Sequence, residues 1–334
     1  MSFRTIVLLL LSVGLLLGLF SWATGHKKSS KAGTIAFYNV ENLFDTLDDP
    51  HKSDNNFLPY SSLKWDTQKY KNKQHRLSKV IADFDKEGLT LLGLAEVENK
   101  QVVEELLRTP ELINKHYRCI LEESKDPRGI DVALIHSSNF KPLFYKVLRP
   151  CKEQDCLESR DVLVVKGLLA GDTVWVYVNH WPSRRAGKEE SNAKRLLLSA
   201  VLKHSVDSVL YNSPSSKIVI MGDFNDTPCD ESILNLTKGK LLFNPFASLP
   251  TNEAGSIKYK KDWLIFDQIL LSGNWKRDKK SSSLMYESNT AAVYHPAYLH
   301  YKELFCNGPF RSYQGKTYFG GYSDHFPVYI EYSY

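Results

Sequence analysis

Strong charge of either sign is missing from this 334-residue chain: 43 lysines and arginines stand against 38 aspartates and glutamates, for a formal net charge of +5. So mild a balance does not by itself announce a nucleic-acid partner. Low-complexity tracts and repeats of solenoid length are also missing, which excludes an array architecture. No linker divides residues 34–334, so that span reads as one domain. Five cysteines are present, but none has metal-ligand spacing, which argues against a zinc site built on sulfur. What the chain does have is globular composition, 43% hydrophobic and 24% charged, and one long apolar run near its N-terminus.

That run extends from Ile6 to Ala23 behind Arg4 and leads into His26-Lys27-Lys28-Ser29-Ser30-Lys31. A basic residue, an apolar stretch and the small residues Ala23 and Gly25 compose an export signal. The run is also nearly long enough to span a bilayer, so residues 1–30 read as a signal peptide or as an N-terminal membrane anchor. Both readings place residues 31–334 outside the cytoplasm, whether periplasmic, secreted or held at a membrane. In an oxidising compartment Cys151 and Cys156, four residues apart in the loop they bracket, can form a small disulfide; Cys119, Cys229 and Cys306 leave an odd thiol.

Beyond the signal, apolar runs alternate with amphipathic stretches. Residues 34–38 read as a strand ending in Asn39-Val40-Glu41-Asn42, and a lysine-rich stretch with Trp65, Tyr70, Leu77, Val80, Ile81 and Phe84 reads as a helix. Residues 89–95 form a second buried strand, stopped by Glu96. Further strands fall at 130–135 and 162–169, the latter turning at Gly171-Asp172 into 174–178, which ends in Asn179-His180. A helix with an apolar stripe at Ala193, Leu196, Leu197, Ala200 and Val201 follows. The strand 217–221 is stopped by Gly222 and leaves Asp223 and Asn225 side by side on one face if the extended geometry persists. Residues 263–271 read as a strand carrying Asp267, and Ser323-Asp324-His325 precedes a last strand at 327–332. The polar loop 48–62 and the aromatic excursion 286–318 are of the kind that shapes substrate choice.

Asn39, Glu96, His180, Asp223, Asn225, Asp267, Asp324 and His325 thus each close a strand or interrupt one. Ionised carboxylates beside buried strands are costly unless paired or coordinated. Gathered on one rim they would make an oxygen-ligand site for a hard cation, with two histidines for proton transfer or contact with an anion. That is the equipment of metal-assisted phosphate-ester cleavage. Blander readings exist for single residues. An Asx-turn accounts for Asp223 and Asn225 in isolation, Glu98 and Asn99 suit a helix start, and Asp131 either opens a strand or backs one of the histidines. Arg184 and Arg185 either clamp phosphate or are solvated, and Lys258-Tyr259-Lys260-Lys261 reads as solvated surface.

Five blocks in order, YNVENLF (38–44), LAEVEN (94–99), NHWPS (179–183), GDFND (222–226) and SDHFP (323–327), resemble the endonuclease/exonuclease/phosphatase superfamily, deoxyribonuclease I among its members. The likeness runs from residue 34 to 334, and NHWPSRR and GGYSDHFPV look most similar to secreted nuclease-like members. It implies an α/β fold, a four-layer α/β sandwich of two mixed β-sheets packed face to face with outer helices; the alternation of elements alone does not separate this from a doubly wound sheet. Carried over residue by residue, the resemblance makes Glu96 the principal metal ligand with Asn39 beside it, Glu41 a further ligand at a position where relatives differ, and Asp324 either a second metal ligand or the partner that tunes the neighbouring histidine. The ion implied is Mg²⁺ or Mn²⁺, with Ca²⁺ admissible. Asp223 would orient or deprotonate the attacking water, Asn225 would bond a phosphoryl oxygen, and His180 would contact the scissile phosphate or help the leaving oxygen depart. His325 would be the second histidine, oriented by Asp267. Asn39, Arg184 and Arg185 would touch substrate. The expected activity is that of an exported phosphodiesterase, an endonuclease acting on nucleic acid by in-line attack of water. The alternatives are a phosphatase or phospholipid phosphodiesterase of the same superfamily, or an exported binding protein with a silent site, against which the completeness of the residue set counts. No protein partner is inferred.

Overall fold

The computed structural model describes residues 31–84, 88–152, 155–157, 159–250, 255–276, 283–301 and 308–333. The apolar N-terminal run and Cys306 lie outside these residues. Residues Lys31–Tyr334 group as one compact unit.

The chain builds one sheet, then a second, then returns to the first. β1 (Gly33–Leu43), β2 (Leu91–Val97), β3 (Arg118–Leu121) and β4 (Asp131–His136) open the first sheet. The second consists of β5 (Phe140–Leu148), β6 (Val162–Leu169), β7 (Asp172–His180), β8 (Lys217–Asp223), β9 (Leu242–Phe243) and β10 (Asp267–Ser272). β11 (Met285–Tyr286), β12 (Ala292–Val293) and β13 (Val328–Ser333) complete the first. The strand orders are β11-β13-β1-β2-β4-β3, with β12 also on β13, and β9-β10-β8-β7-β6-β5. Both sheets are mixed, and each has one parallel pair, β1 with β2 and β7 with β8. A parallel pair needs a long crossover, which α1 (Thr67–Phe84) and α3 (Lys188–Asn212) supply; α2 (Lys100–Leu107) and α4 (Glu231–Thr237) are shorter.

The period of two along each strand divides the core into three layers. Ile35 and Phe37 of β1 face Val176, Val219, Met221 and Ile269 of the other sheet. Their neighbours Ala36 and Tyr38 face outward, onto Leu77 and Ile81 of α1 and Val102 and Leu106 of α2. On the opposite side Tyr177, Ile218, Ile220 and Leu270 meet Leu198 and Leu202 of α3 and Ile233 of α4. This is the expected four-layer sandwich, and burial of both strand faces explains why the strands read as continuous apolar runs. Gly93 allows a close approach of the two sheets: a Cβ there would lie 2.6 Å from Met221 Sδ.

Several local expectations are refined. Trp65 precedes α1, and its Nε1–H donates to Phe44 O at 3.0 Å. Asn99 caps α2, its side chain accepting from Val102 N–H. The β6–β7 hairpin turns through Ala170 and Gly171, both at positive φ, as a two-residue turn of the right twist requires. Cys151 and Cys156 are disulfide-bonded. The helix expected around residue 193 is present, but its buried face is Ser191, Arg195, Leu198, Ser199, Leu202 and Val206. Ala193 and Ala200 are exposed, because Arg195 is drawn inward by Asp226, 2.8 Å away, and Ser199 donates to Ser232 O. The run 263–271 is not one strand. It divides into a short ribbon strand, Asp262–Leu264, and β10, with Ser256 Oγ accepting the N–H groups of Phe266 and Asp267 at the break. Among the described residues no helix is long and apolar enough to cross a membrane.

Candidate active site

Strand register assembles the site. Parallel pairing sets His180 opposite Asp223, and antiparallel pairing of β10 with β8 sets Asp267 opposite Asp223 on its other side. Three polar side chains thus stand in a row across β7, β8 and β10. In the first sheet, the ends of β1 and β2 bring Asn39 opposite Ala95, beside Glu96. The amide of Asn39 joins the two sheets: Nδ2 donates to Asp223 Oδ2 at 3.0 Å and lies 3.3 Å from Glu96 Oε1. The segment entering β13 adds His325, whose Nδ1 is 2.7 Å from Asp267 Oδ2.

The strands do not simply stop at this rim. Glu41, Asn42, Glu96 and Asn225 all have φ between 50° and 64°, a left-handed conformation that costs a glutamate about 1 kcal/mol or more and clusters at functional sites. The turn at Asn225 corrects the expectation of Asp223 and Asn225 side by side on an extended face. β8 ends at Asp223, Asn225 N–H folds back to Asp223 Oδ1 at 2.9 Å, and Asn225 Nδ2 donates to Trp181 O at 3.0 Å. Asn42 N–H donates to Glu96 Oε2 at 3.0 Å, which fixes that carboxylate at the rim.

The two histidines are biased in opposite directions. Burial opposes charge on His325, but Asp267, Asp223 and Asp324 outweigh it and hold the imidazolium well above its ordinary range. His180 is held well below that range by burial, reinforced by Arg160, Arg128 and His325. Its Nε2 stands 3.8 Å from both Glu96 Oε1 and Asp223 Oδ2, and its Nδ1 is buried without a partner. Such a divergence between neighbouring titratable groups is the pattern of an acid and a base at work in one site.

Carboxylates crowd the same space. Burial and the Asp267 carboxylate push Asp223 up to about 7, against the opposing pull of His325, Asn225 N–H and Asn39. Burial and Asp324 push Glu41 up to about 7. Glu41 accepts from Ser312 N–H at 2.7 Å and lies 3.7 Å from Lys73 Nζ, while Asp324 stands 3.3 Å from the Arg311 guanidinium and 4.0 Å from His325 Nε2. Asp223, Asp267 and His325 offer ligand atoms within 4.8 Å of one another. A cation does not suit the centre of that triplet, because the short Nδ1–Oδ2 contact is a proton-bearing hydrogen bond and His325 is held protonated. The donors suited to a hard cation are the carboxylate oxygens of Glu96, backed by Asp223, with Glu41 and Asp324 farther along the rim; Asn39, expected as a ligand, faces Glu96 through Nδ2, because its Oδ1 accepts from Glu41 N–H at 3.0 Å. These residues fit such an ion, since uncompensated carboxylates at this density are unfavourable without one.

A prediction follows from the sign of these shifts. Asp223 and Glu41 have folded values of about 7, above an unfolded range of about 4, and the His325 value is also raised. The stability tied to all three groups is complete at low pH and is lost as pH rises through their folded values. Without divalent cations the melting temperature falls from about pH 5 to about pH 8, and millimolar Mg²⁺ or Mn²⁺ removes most of the fall. A thermal melt series in EDTA that stays flat over that window would contradict this electrostatic picture.

The remaining expected residues are placed as follows. Arg184 donates through Nε to Asn225 O at 2.6 Å, and its Nη2 binds Asp226 at 2.6 Å and Asp230 at 2.5 Å; the guanidinium is engaged within the protein. Arg185 is exposed beside it. Asp131 opens β4 and accepts from Ser124 N–H. Its Oδ2 and His180 Nδ1 both lack partners, so it does not back that histidine. Residues that sequence reasoning missed lie behind the rim. Arg160 donates to His180 O at 3.2 Å, Trp181 O at 2.8 Å and Asp126 Oδ2 at 3.0 Å. Lys73 donates from the buried face of α1 to Ser312 Oγ and Tyr322 O, both at 2.7 Å. Lys73 shares the buried face of α1 with Gln74 and Ser78 as well as Leu77 and Ile81, so neither it nor Arg160 stands out locally.

A model of the Endonuclease/Exonuclease/phosphatase family matches residues 34–333. No curated protein matches. Among solved structures, a mannosyl-6-phosphatase of Bacteroides thetaiotaomicron superposes with a TM-score of 0.58 at 14% identity, covering 91% of this chain and 100% of that one. TDP2 of D. rerio, complexed with single strand DNA product, gives 0.57 at 16% identity, covering 91% and 100%. A humanized form of the D. rerio protein gives 0.54 at 16% identity, covering 90% and 98%. At such identities these structures speak for the fold alone.

Proposed function

The chain belongs to the endonuclease/exonuclease/phosphatase family, and on that premise we propose that it is an exported, divalent-metal-dependent phosphodiesterase, an endonuclease that hydrolyses nucleic-acid phosphodiester bonds. The observation that carries the reading is the convergence of Asn39, Glu96, His180, Asp223 and the Asp267–His325 pair on one rim, with the two histidines biased to opposite charge states.

Glu96 would hold the cation, its carboxylate positioned by Asn39 Nδ2, with Glu41 and Asp324 as the further acidic positions. When bound, such an ion supplies Lewis-acid neutralisation of a phosphoryl oxygen. Asp223, kept basic by its raised value, accepts a proton from the attacking water. The His325 imidazolium, oriented by Asp267, donates to a phosphoryl oxygen as negative charge grows there. His180 presents a neutral ring to the same phosphate. Asn225 offers its second amide hydrogen beyond the one donated to Trp181 O. Arg184 works one step back, through its bond to Asn225 O, and Arg185 remains for the substrate.

A face of aromatic and basic side chains supports a nucleic-acid substrate. Lys69 Nζ lies 5.0 Å over the partly exposed Tyr318 ring and 5.8 Å over that of Tyr313, a combination that suits stacked bases and a phosphate backbone. Export, by a cleaved signal or with an anchor retained, rests on the apolar run from Ile6 to Ala23. A second reading, a phosphomonoesterase for small phosphate esters, draws on one feature: with Arg184 engaged internally, the loop after β7 has fewer cations free for a polyanion than its sequence promised.

The test is incubation of the purified protein with supercoiled plasmid DNA in Mg²⁺ or Mn²⁺, with EDTA and Glu96→Gln as controls. Nicking that disappears in both controls is the expected result. Intact DNA alongside hydrolysis of bis-nitrophenyl phosphate or a sugar phosphate would overturn the substrate and leave the chemistry. No hydrolysis with any metal would favour the silent binding protein.

A further inference from the structure

Arg311 stands at the His325 end of the rim and takes no part in the chemistry described above. Its Nη2 lies 3.3 Å from Asp324 Oδ2, and the other oxygen of that carboxylate lies 4.0 Å from His325 Nε2. Most surface arginines paired with an acid are simply solvated and contribute little. Two features set this one apart. Its main chain is fixed on both sides: Phe310 O accepts from Tyr322 N–H at 2.5 Å, Arg311 O accepts from Gly321 N–H at 3.2 Å, and Ser312 N–H donates to Glu41 Oε2 at 2.7 Å while Lys73 holds Ser312 Oγ. The approach is so close that a Cβ at Gly321 would collide with Phe310 O and Arg311 O, which only glycine avoids. The guanidinium is also largely uncommitted. The side chain is 41% exposed, and among the described residues its one hydrogen bond is the contact with Asp324. Arg184, by contrast, is spent on three acceptors within the protein.

From Arg311 the chain runs directly into an aromatic ribbon. Tyr313–Gln314 pairs with Thr317–Tyr318, the two tyrosine rings lie 5.1 Å apart, and Lys69 Nζ stands over both. A guanidinium beside the histidine, followed by rings that can stack and by a second cation, matches a strand that leaves the rim along this edge. We propose that Arg311 binds a phosphate next to the scissile one and directs the strand on that side over the Tyr313–Tyr318 ribbon. The inference rests on the nuclease reading of the rim. The flanking phosphate, not the scissile one, follows from Asp324, whose carboxylate bridges the guanidinium and His325 Nε2; Arg311 therefore reaches one step beyond the group that His325 serves. An arginine suits this task, because it stays charged and still has N–H groups to offer when one edge is held by an acid.

The experiment follows binding of a fluorescein-labelled single-stranded oligonucleotide to the Glu96→Gln protein, in which turnover is removed, by anisotropy between about 50 and about 200 mM KCl. Adding Arg311→Ala weakens binding about tenfold and makes the slope of log K against log salt shallower by about 0.7, the change for one phosphate contact on a single strand. Arg311→Lys, which keeps the charge, restores most of that slope, whereas a merely structural arginine would alter affinity and leave the slope alone. In protein with Glu96 intact, Arg311→Ala costs at least about tenfold more in kcat/KM on the oligonucleotide than on bis-nitrophenyl phosphate, which has no neighbouring phosphate. Equal losses on the two substrates would move the guanidinium to the scissile phosphate and overturn the flanking assignment. An unchanged slope in Arg311→Ala would overturn the contact and leave the nuclease reading standing. No oligonucleotide binding at any salt, with bis-nitrophenyl phosphate still hydrolysed by the wild type, would overturn both.

Discussion

Asp267→Asn lowers phosphoester turnover by about 10³- to 10⁴-fold and moves the alkaline limb of the pH–rate profile to lower pH, an effect of the size seen when the carboxylate behind a catalytic imidazole is neutralised. The expectation rests on where the charge comes from. His325 is buried, which by itself would discharge the ring, and the carboxylates of Asp267, Asp223 and Asp324 together reverse that tendency. Asp267 supplies both the strongest attraction and the 2.7 Å hydrogen bond. An asparagine keeps the shape and loses the charge, so the folded value of His325 falls and the imidazolium is lost at lower pH. His325→Ala should cost turnover similarly, and the double variant little more, because the two residues act as a unit. Stability follows the same sign. The raised His325 value contributes stability below its unfolded value of about 6.5 that is lost as pH rises through the folded value, and Asp267→Asn shrinks this contribution. Rate profiles of the wild type and Asp267→Asn from acid to alkaline pH decide the matter; superimposable alkaline limbs would remove His325 from the donor role.

Much of the rim was legible because polar residues interrupted apolar strands. Glu96 after Leu91–Ala95 and Asp223 after Lys217–Gly222 stand out once the flanking residues are recognised as buried strands, and Asp267 stood out for the same reason, although it proved to open its strand. The sandwich itself was implied by the order of the five sequence blocks, not by the periodicity, since strands buried on both faces show no alternation. What was not legible is long-range pairing. Lys73 is bound to Ser312 and Tyr322, more than two hundred residues away, and Arg160 reaches Asp126 and the carbonyls of β7 and its following loop. Neither position has a local pattern from which its partner could be read. The apolar stripe assigned to α3 failed for a related reason. An apolar side chain is a good guide to the inward face only where no buried ion pair competes for it, and Arg195 takes that place.

That buried arginine leads to the second large effect: Asp226→Ala destabilises the protein by about 3–5 kcal/mol, the range for removing one partner of a buried ion pair. Asp226 is the centre of a network beneath the GDFND turn. Its Oδ2 lies 2.8 Å from Nε of the fully buried Arg195 and accepts from Ser232 Oγ at 2.5 Å, its Oδ1 accepts from Arg184 at 2.6 Å, and its backbone O accepts from Gln268 Nε2 at 2.7 Å. Arg195 also donates to Pro182 O, Ser191 Oγ and Lys188 O, so it cannot leave the interior without disrupting the start of α3. Truncating Asp226 strands its charge. Against a usual total stability of about 5–15 kcal/mol, such a loss is severe, and it reaches the site, because Arg184 holds Asn225 O and Asn225 holds both Asp223 and Trp181 O. Urea titration should show a lower midpoint with unchanged slope, together with a fall in turnover at temperatures where the variant remains folded. Adding Arg195→Met to Asp226→Ala separates charge from packing. If the stranded guanidinium is the cause, the double variant recovers most of the lost stability; if the two losses simply add, the network contributes through packing and the electrostatic account fails.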